Sequence, residues 1–364
     1  MKPIKVGLIG CGKIAEQHAK SMIELEEEIE LVALCDINEE KINTFLKKID
    51  LSRYTNLSTY TDARRFLQND GIELVVIATS TDSHIPLIRQ ALQAKKHVLV
   101  EKPLALSIEE ARSVVEEANR LGCVLAVSLQ TRYLTQIQAI KKAMSDDRFG
   151  GLLYGVVTVR WNRTADYYKA SPWRGTWEKD GGVLMNQCIH YIDLLQWVMG
   201  PVVSVYGKGG TFVHPIEAED VGVAILHYAN GSFGIVEGTT GIFNQNLQTS
   251  LSLFGEKGYV SLEGERLNNF KHWNFKAKRP EDKNVINQIA AISHTPLYED
   301  IIHSIRHGTK PLVSADTTLG SLETVLAIYK SMLEKKSITL PLQQFSTKEM
   351  INYQLKKKRG KSNE

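Results

Sequence analysis

At 364 residues, the chain is long enough for two domains with separate cores. Its 43% hydrophobic and 23% charged residues and its net charge of +3 are those of an ordinary globular protein, which excludes a disordered or collagen-like chain. No apolar run reaches membrane-span length, and no basic helix interleaved with aromatics points to nucleic acid. The four cysteines, Cys11, Cys35, Cys123 and Cys188, are scattered without a Cys-x-x-Cys pair. That spacing argues against a disulfide framework or a metal site and for a reduced, cytoplasmic setting; no secretory signal precedes the first strand.

In chain order, Ile4 to Ala15 reads Ile-Lys-Val-Gly-Leu-Ile-Gly-Cys-Gly-Lys-Ile-Ala. An apolar strand runs into Gly10, Gly12 and Ala15, the spacing of a glycine-rich dinucleotide loop. Gly10 permits the tight turn, Gly12 lets backbone approach a pyrophosphate, and Ala15 lets the following helix pack on the strand. That helix is predicted from Lys13 to Glu26, and its first amides, at Lys13 and Ile14, face a bound anion. A second apolar strand, Glu30 to Asp36, ends in an acidic residue about 20 residues past the loop, where a carboxylate holds the adenosine ribose hydroxyls. Ile37, not Arg, follows Asp36, so NAD is favoured over NADP. The plainer alternative makes Asp36 the cap of a helix beginning near Glu39.

Leu74 to Ala78 is a continuous apolar run and fits a buried parallel strand. A helix at Ser83–Ala94, a strand at His97–Val100, a helix at Ser107–Leu121 and a strand at Val124–Ser128 follow. This alternation predicts a doubly wound parallel sheet with helices on both faces, over residues 1–129. Thr79, Ser80 and His84 after the fourth strand are placed to line the nicotinamide ribose side of a cofactor, and Gln130 and Arg132 follow the sixth strand near the cofactor at the domain junction; each could instead be a helix cap or loop contact.

From residue 130 the character changes. A connecting helix spans roughly Thr135 to Ser145, and strands are predicted at Leu153–Trp161, Val202–Thr211, Val221–Tyr228, Ser232–Thr240, Gln248–Gly255 and Tyr259–Glu263. Asn230-Gly231 joins two of them as a hairpin. Consecutive strands without helices between them imply a large open, mostly antiparallel sheet packed on a helix at Gly182–Met199. Helices at Pro296–His307 and Ala315–Lys335 close this second domain, residues 130–345, or lean on the first. Lys276 to Asn287 reads as a mobile loop, and residues 346–364 as a basic tail.

Two constellations carry chemistry. Glu101-Lys102-Pro103 leaves the fifth strand where a doubly wound sheet binds its ligands, so the Lys102 ammonium is placed to stabilise a developing alkoxide; otherwise it is a surface lysine paired with Glu101. In Asp180 to Asp193, the residues Asn186, His190 and Asp193 stand at i, i+4 and i+7, one face of a helix. His190 is suited to take a hydroxyl proton near neutral pH, with Asn186 holding its ring or the substrate and Asp193 orienting the other nitrogen. The plainer alternative is a satisfied core histidine.

These motifs together resemble the Gfo/Idh/MocA oxidoreductase family, over Val6 to about Pro341. The resemblance is carried by Gly10 to Ala15, Glu101-Lys102-Pro103, Gly181-Gly182 through His190 and Asp193, and Gly308-Thr-Lys-Pro311. It implies an N-terminal Rossmann domain that binds NAD, a C-terminal α/β domain with an open sheet, and a site between them where Lys102 and His190 are the catalytic pair. It further implies a cis Lys102–Pro103 bond. Many members carry Asp where this chain has Asn186, which cannot relay a proton. That departure resembles the subgroup of UDP-N-acetyl-2-amino-2-deoxyglucuronate (UDP-GlcNAcA) 3-dehydrogenases, as do Tyr167-Tyr168, Trp173 to Trp177, Met185-Asn-Gln187, Glu217 to Asp220 and Phe254 to Gly258.

The expectation is an NAD-dependent enzyme that oxidises the 3-hydroxyl of UDP-GlcNAcA to a 3-keto sugar nucleotide for polysaccharide biosynthesis. Arg160, Arg163, Lys169 and Arg174 suit its anionic groups, Tyr168, Trp173 and Trp177 its sugar or uracil, and Asn186, Gln187 and His190 the reacting ring. The alternatives are a dehydrogenase or ketoreductase of another sugar or cyclitol, and a non-catalytic NAD sensor. An open sheet needs a cover, so a homodimer or homotetramer is expected.

Overall fold

The computed structural model describes residues 2–351 and 353; the basic run from Lys356 lies outside them. The chain divides into two compact units. Of the described residues, the first holds 2–105, 109–133 and 292–319; the second holds 106–108, 134–291, 320–351 and 353. The segment 292–319 therefore belongs with the first unit although it comes late in the chain.

In the first unit, β1 (Ile4–Ile9), β2 (Ile29–Cys35), β3 (Ser58–Tyr60), β4 (Leu74–Ile77), β5 (His97–Val100) and β6 (Leu125–Val127) form one sheet of order β3-β2-β1-β4-β5-β6. Every pair in it is parallel, the doubly wound order expected. Its helices are α1 (Lys13–Glu24), α2 (Glu39–Lys48), α3 (Ala63–Leu67), α4 (His84–Gln93) and α5 (Ile108–Leu121). The central strand β4 is buried at every residue, because helices cover both faces of the sheet. Gly10 sits at φ +96°, and a Cβ there would stand 2.5 Å from the Ala78 carbonyl oxygen; both backbone and space demand glycine.

In the second unit, α6 (Thr135–Ser145) leads to β7 (Leu152–Arg160), α7 (Ala165–Lys169) and α8 (Ile189–Met199). Then come β8 (Val202–Gly210), β9 (Val221–Tyr228), β10 (Phe233–Thr239), β11 (Gln248–Gly255), β12 (Gly258–Glu263), β13 (Asn269–Phe275) and α9 (Asp282–Asn287). The helix α10 (Thr295–His307) belongs to the first unit, α11 (Ala315–Glu334) follows it, and β14 (Ile338–Thr339) completes an eight-stranded sheet of order β13-β12-β11-β7-β10-β9-β8-β14. All its pairings are antiparallel except β7 with β10. Asn230-Gly231 makes the expected hairpin, with Gly231 at φ +85° and the Tyr228 amide on the Ser232 carbonyl at 3.1 Å.

One face of this sheet is packed on α8 and the turn before it. Glycines in the strands allow the close approach: a Cβ on Gly155 would meet Met199 Sδ at 2.5 Å, and one on Gly222 would meet Leu184 at 2.7 Å. The opposite face exposes Leu153, Tyr154, Val203, Tyr206, Val223, Ile225, Phe233, Ile235 and Tyr259.

Two expectations are corrected. The polar stretch 276–287 is not a plain loop, because it contains α9. Asp282 accepts both guanidinium nitrogens of buried Arg148, at 2.6 and 2.8 Å, and the Trp273 indole N–H at 2.8 Å, and Arg148 holds its carboxyl far below the usual range. The predicted regular helix from Gly182 is interrupted by a π-helical turn at Leu184–Cys188, and β13 was not foreseen. Among the described residues no helix is long and apolar enough to cross a membrane.

Candidate functional site

The glycine-rich loop and the end of β2 are tied together by one carboxylate. Asp36 Oδ2 accepts from the Cys11 amide at 2.9 Å, and Oδ1 accepts from the Asn38 amide at 3.0 Å. The cap of α2 is Asn38, whose side chain accepts from the Glu40 amide at 2.9 Å, so Asp36 is not the capping residue. A carboxylate oxygen has more than one lone pair, and Asp36 retains acceptor capacity for ribose hydroxyls. Cys11 and Cys35, flanking this carboxylate, have thiols pushed up to about 12, first by burial and then by the Asp36 charge; they are inert at neutral pH.

A Cβ at Gly12 would meet no atom within 4 Å, so internal packing does not require glycine there; close approach of a phosphate does. Gly12, Lys13 and Ile14 keep solvent access at the N-terminus of α1, and Ile37 is 92% exposed. A cavity of about 170 Å³ lies alongside, lined by Cys11, Glu16, Asn38, Lys41, Phe45 and Lys48 among others. These residues fit a dinucleotide with its pyrophosphate on the α1 N-terminus.

Past β4, Thr79 and Ser80 are partly exposed, with the Thr79 hydroxyl 2.6 Å from Ser83 Oγ. His84 is fully buried: Nδ1 lies 2.8 Å from the Pro103 carbonyl and Nε2 3.4 Å from the Thr79 carbonyl. Burial lowers its pKa against those hydrogen bonds, so one ring nitrogen donates, and the shorter contact assigns that N–H to Nδ1. His84 thus braces the Lys102–Pro103 turn rather than offering an open surface. Gln130 turns its Oε1 inward, buried without a hydrogen-bond partner, an acceptor that a carboxamide N–H would satisfy. Arg132 is spent on the Leu312 and Thr317 carbonyls at 3.0 and 3.1 Å.

The Lys102–Pro103 bond is cis. Between Val98 and Ile108, Lys102 is the one residue that is not buried. Glu101 is buried, and its carboxylate accepts from the Lys102 amide at 3.3 Å and faces His18 Nε2 at 3.0 Å. Burial raises that carboxyl, but the hydrogen bond from His18 and the nearby His294 ring, its Nε2 3.8 Å away, outweigh it and hold it well below the usual range. His18, Glu101 and His294 bring three donor atoms within 4.8 Å of one another. The direct His18–Glu101 bond already satisfies the two atoms that a metal ion would have to separate.

In the second unit the same pattern recurs. From Gly181 to Leu195 only Asn186 and His190 keep solvent access; Gln187 is buried, and so is Asp193. Asp193 accepts from Ser321 Oγ at 2.5 Å, which gives that carboxylate a structural partner. The π-helical turn takes Asn186 out of the regular helical register with His190, whereas His190 and Asp193 both lie in α8. Asn186 donates through Nδ2 to Asp180 Oδ1 at 2.5 Å and accepts through Oδ1 from Gln187 Nε2 at 3.0 Å.

Gln187 Nε2 also reaches the Tyr167 hydroxyl at 3.4 Å. The Arg174 guanidinium stacks over the Tyr167 ring at 4.2 Å and the Trp173 ring at 5.4 Å, and donates to the Tyr167 carbonyl at 2.8 Å. Arg163 lies over Trp161 at 4.7 Å and Tyr167 at 5.3 Å. The structure therefore gathers Arg163, Tyr167, Trp173 and Arg174 around the polar end of the π turn. Tyr168 bonds Thr240 Oγ1 at 3.0 Å and packs against the tilted His214 ring, centroids 4.8 Å apart.

Three expected ligand groups are otherwise engaged. Arg160 makes a bidentate pair with Glu237, both contacts at 2.7 Å, on the sheet. Trp177 is fully buried, edge-on to Tyr329 at 5.0 Å, and is a core residue. Lys169 is an exposed side chain 4.0 Å from Asp166. Sequence reasoning missed Glu219, which accepts from the Leu184 amide at 2.9 Å and the Tyr329 hydroxyl at 3.0 Å beneath the π turn. Its acidic neighbours in the sequence gave no hint that Glu219 and Asp220 are both fully buried. His18, Tyr298 and His294 were missed for the same reason: each lies far in sequence from Glu101.

Nucleotide loop, acidic strand end and exposed lysine define an NAD-dependent oxidoreductase on a Rossmann sheet. The chain belongs to the Gfo/Idh/MocA family: a model described as the oxidoreductase family, NAD-binding Rossmann fold, matches residues 4–129, and the GFO/IDH/MocA C-terminal domain matches residues 137–261. It is similar to the WlbA dehydrogenase of Bordetella pertussis, solved with NADH and UDP-GlcNAcA: 34% identical, TM-score 0.88, covering 94% of this chain and 99% of that one. It is similar too to WlbA of Chromobacterium violaceum, solved with the same two ligands: 31% identical, TM-score 0.89, covering 94% and 97%. The myo-inositol 2-dehydrogenase of Thermotoga maritima is 23% identical over 358 residues, 93% of this chain and 98% of that protein. The chain is thus an NAD-dependent sugar or cyclitol dehydrogenase of this family.

Proposed function

We propose that the protein oxidises the 3-hydroxyl of UDP-GlcNAcA to a 3-keto sugar nucleotide, for polysaccharide biosynthesis in the cytoplasm. The observation that carries this reading is the guanidinium–aromatic cluster of Arg163, Tyr167, Trp173 and Arg174, joined by Gln187 to Asn186. Guanidinium groups pair with diphosphate, and flat rings stack on uracil. Likeness to two proteins solved with UDP-GlcNAcA supports it. In this reading residues 1–129 hold the cofactor, and residues 130–345 hold the sugar nucleotide and make the subunit contacts.

The cofactor's contacts are assigned to Gly10, Gly12, Lys13, Ile14, Asp36, Ile37, Thr79, Ser80, Glu101, Lys102 and Gln130, with buried His84 supporting the turn behind them. When bound, NAD supplies the acceptor for the hydride that leaves C3. His190 takes the hydroxyl proton, and the Lys102 ammonium holds the oxygen as it becomes a carbonyl; pH profiles of the two single variants divide these roles. Asn186, held by Asp180 and Gln187, positions the ring.

The test is reduction of NAD in the presence of UDP-GlcNAcA, with other UDP-sugars, free sugars and cyclitols alongside. Growth of the reduced-nicotinamide absorbance on UDP-GlcNAcA is the expected result. Turnover only on another sugar or cyclitol moves the substrate assignment. Binding of NAD with no turnover on any of them makes the protein a sensor. Loss of turnover in Lys102→Ala and His190→Asn is expected; retention in either overturns its role.

The apolar lanes on the open sheet face support a homodimer or homotetramer. Phe233 pairs with Tyr154, Tyr154 with Phe254, and Ile235 with Ile225, so exposed side chains stand side by side across strands. Light scattering tests it, and a monomer at working concentration overturns it.

A further inference from the structure

The buried cluster behind Lys102 has no part in the chemistry described so far. His18 on α1 is fully buried, with Nδ1 2.9 Å from the Tyr298 hydroxyl and Nε2 3.0 Å from Glu101 Oε1. Glu101 Oε2 accepts from the Lys102 amide at 3.3 Å, and the Pro103 carbonyl, one residue beyond Lys102, lies 2.8 Å from His84 Nδ1. The His294 ring packs against His18, tilted by 52° with centroids 4.6 Å apart, and brings its Nε2 to 3.8 Å from Glu101 Oε1.

The proton positions follow from the acceptors. A carboxylate only accepts, so His18 Nε2 carries the hydrogen and Nδ1 accepts from the Tyr298 O–H. Burial lowers the His18 pKa against the Glu101 bond, and burial followed by the Glu101 charge raises that of Tyr298, so imidazole and phenol both stay neutral. A phenol, an imidazole and a carboxylate thus form a directed chain ending on the backbone of Lys102. Removing any link leaves a buried polar atom unmatched and frees the carboxylate to rotate.

We propose that His18 and Tyr298 are positioning residues for hydride transfer: they lock the Glu101 carboxylate, and through it the peptide unit from which the Lys102 side chain departs. The proposal rests on the reading of Lys102 as catalytic. His18 and Tyr298 touch neither cofactor nor sugar in this account, so they act through Glu101 alone. The groups facing Glu101 are His18, His294, Tyr298 and His84, with Lys102 on its own strand end.

The test uses the full chain with Tyr298→Phe, which deletes one oxygen, His18→Phe, and His18→Gln, whose amide N–H reaches the Nε2 position. Turnover is measured with UDP-GlcNAcA and with the same sugar deuterated at C3, after melting curves show each variant folded. The expected result is a kcat at least tenfold lower in Tyr298→Phe and His18→Phe, with KM for NAD and sugar within twofold. The deuterium effect on kcat reaches its full size, and His18→Gln recovers most of the rate. A crystal structure of Tyr298→Phe is expected to show the Glu101 carboxylate rotated off the Lys102 amide. Unchanged kcat and isotope effect in folded variants, or an unchanged Glu101 in that crystal, overturns the proposal. Full turnover in Lys102→Ala instead overturns the functional reading on which it rests. An inactive Lys102→Ala beside a fully active Tyr298→Phe removes the positioning role alone.

Discussion

Asn186 Nδ2 donates to Asp180 Oδ1 at 2.5 Å, and this one contact fixes which way the Asn186 amide faces. Asp180 is itself held by the Gly175 amide on Oδ2 at 2.8 Å. Asp180, six residues earlier, thus sets a carboxylate against the Asn186 amide. Replacing Asp180 by Asn keeps the shape but supplies only one accepting atom for two donors. We expect a stability loss of about 1–3 kcal/mol in denaturant unfolding, and a lower kcat with KM for NAD unchanged.

Glu219 gives a pH signature. Burial raises its carboxyl from the ordinary 4.5 to about 8 against its hydrogen bonds from the Leu184 amide and Tyr329. The folded state therefore binds the proton that the unfolded state has released. Stability is highest at and below pH about 4.5 as far as this group is concerned, falls as pH rises toward about 8, and levels off above that. Melting temperature followed from pH 5 to 9 is expected to decline for this reason, and Glu219→Gln to flatten the decline. An equally steep decline in the variant would falsify the assignment.

The cofactor role proposed for Asp36 is tested by affinity. Asp36→Ala removes an anionic acceptor from the ribose position and releases the Cys11 amide of the glycine loop. A hydrogen bond to a charged group is worth about 1.5–3 kcal/mol, so KM for NAD is expected to rise roughly 10- to 100-fold. NADP is expected to bind poorly to the unaltered protein, because its phosphate would meet the Asp36 carboxylate. Steady-state titrations with both cofactors measure this, and equal use of the two removes the role given to Asp36.

The open sheet face is tested by charge. Phe233→Glu with Ile235→Glu places two carboxylates in the centre of the apolar lanes, where they stay hydrated only if nothing covers them. Light scattering is expected to report monomers for the double variant and a larger species for the unaltered chain. An assembly of unchanged mass in the variant places the subunit contact elsewhere.

The gap between sequence and structure follows the distance over which each feature is decided. The glycine loop, the acidic end of β2, the Asn230-Gly231 hairpin and the strand–helix alternation are local: backbone freedom at glycine and the period of apolar residues dictate them within a few positions. The sequence also pointed to Lys102 and His190, and the fold leaves both with solvent access in otherwise buried stretches, His190 together with Asn186. It could not say that Arg160 is taken by Glu237, 77 residues away, or that Trp177 is spent on the core. Nor could it foresee the π turn, which depends on the packing of Leu184 and Cys188 over glycines in β9 and β10.

By itself, then, the order of residues determined the doubly wound sheet, the choice of a dinucleotide and the two chemical motifs, because short-range geometry and hydrophobic period suffice for them. Only the tertiary structure decided which polar side chains are used up. His18 meets Glu101 across 83 residues and Tyr298 across 280, and Asp193 meets Ser321 across 128. A buried polar group must find a partner wherever the fold brings one, and no local pattern encodes that partner's number.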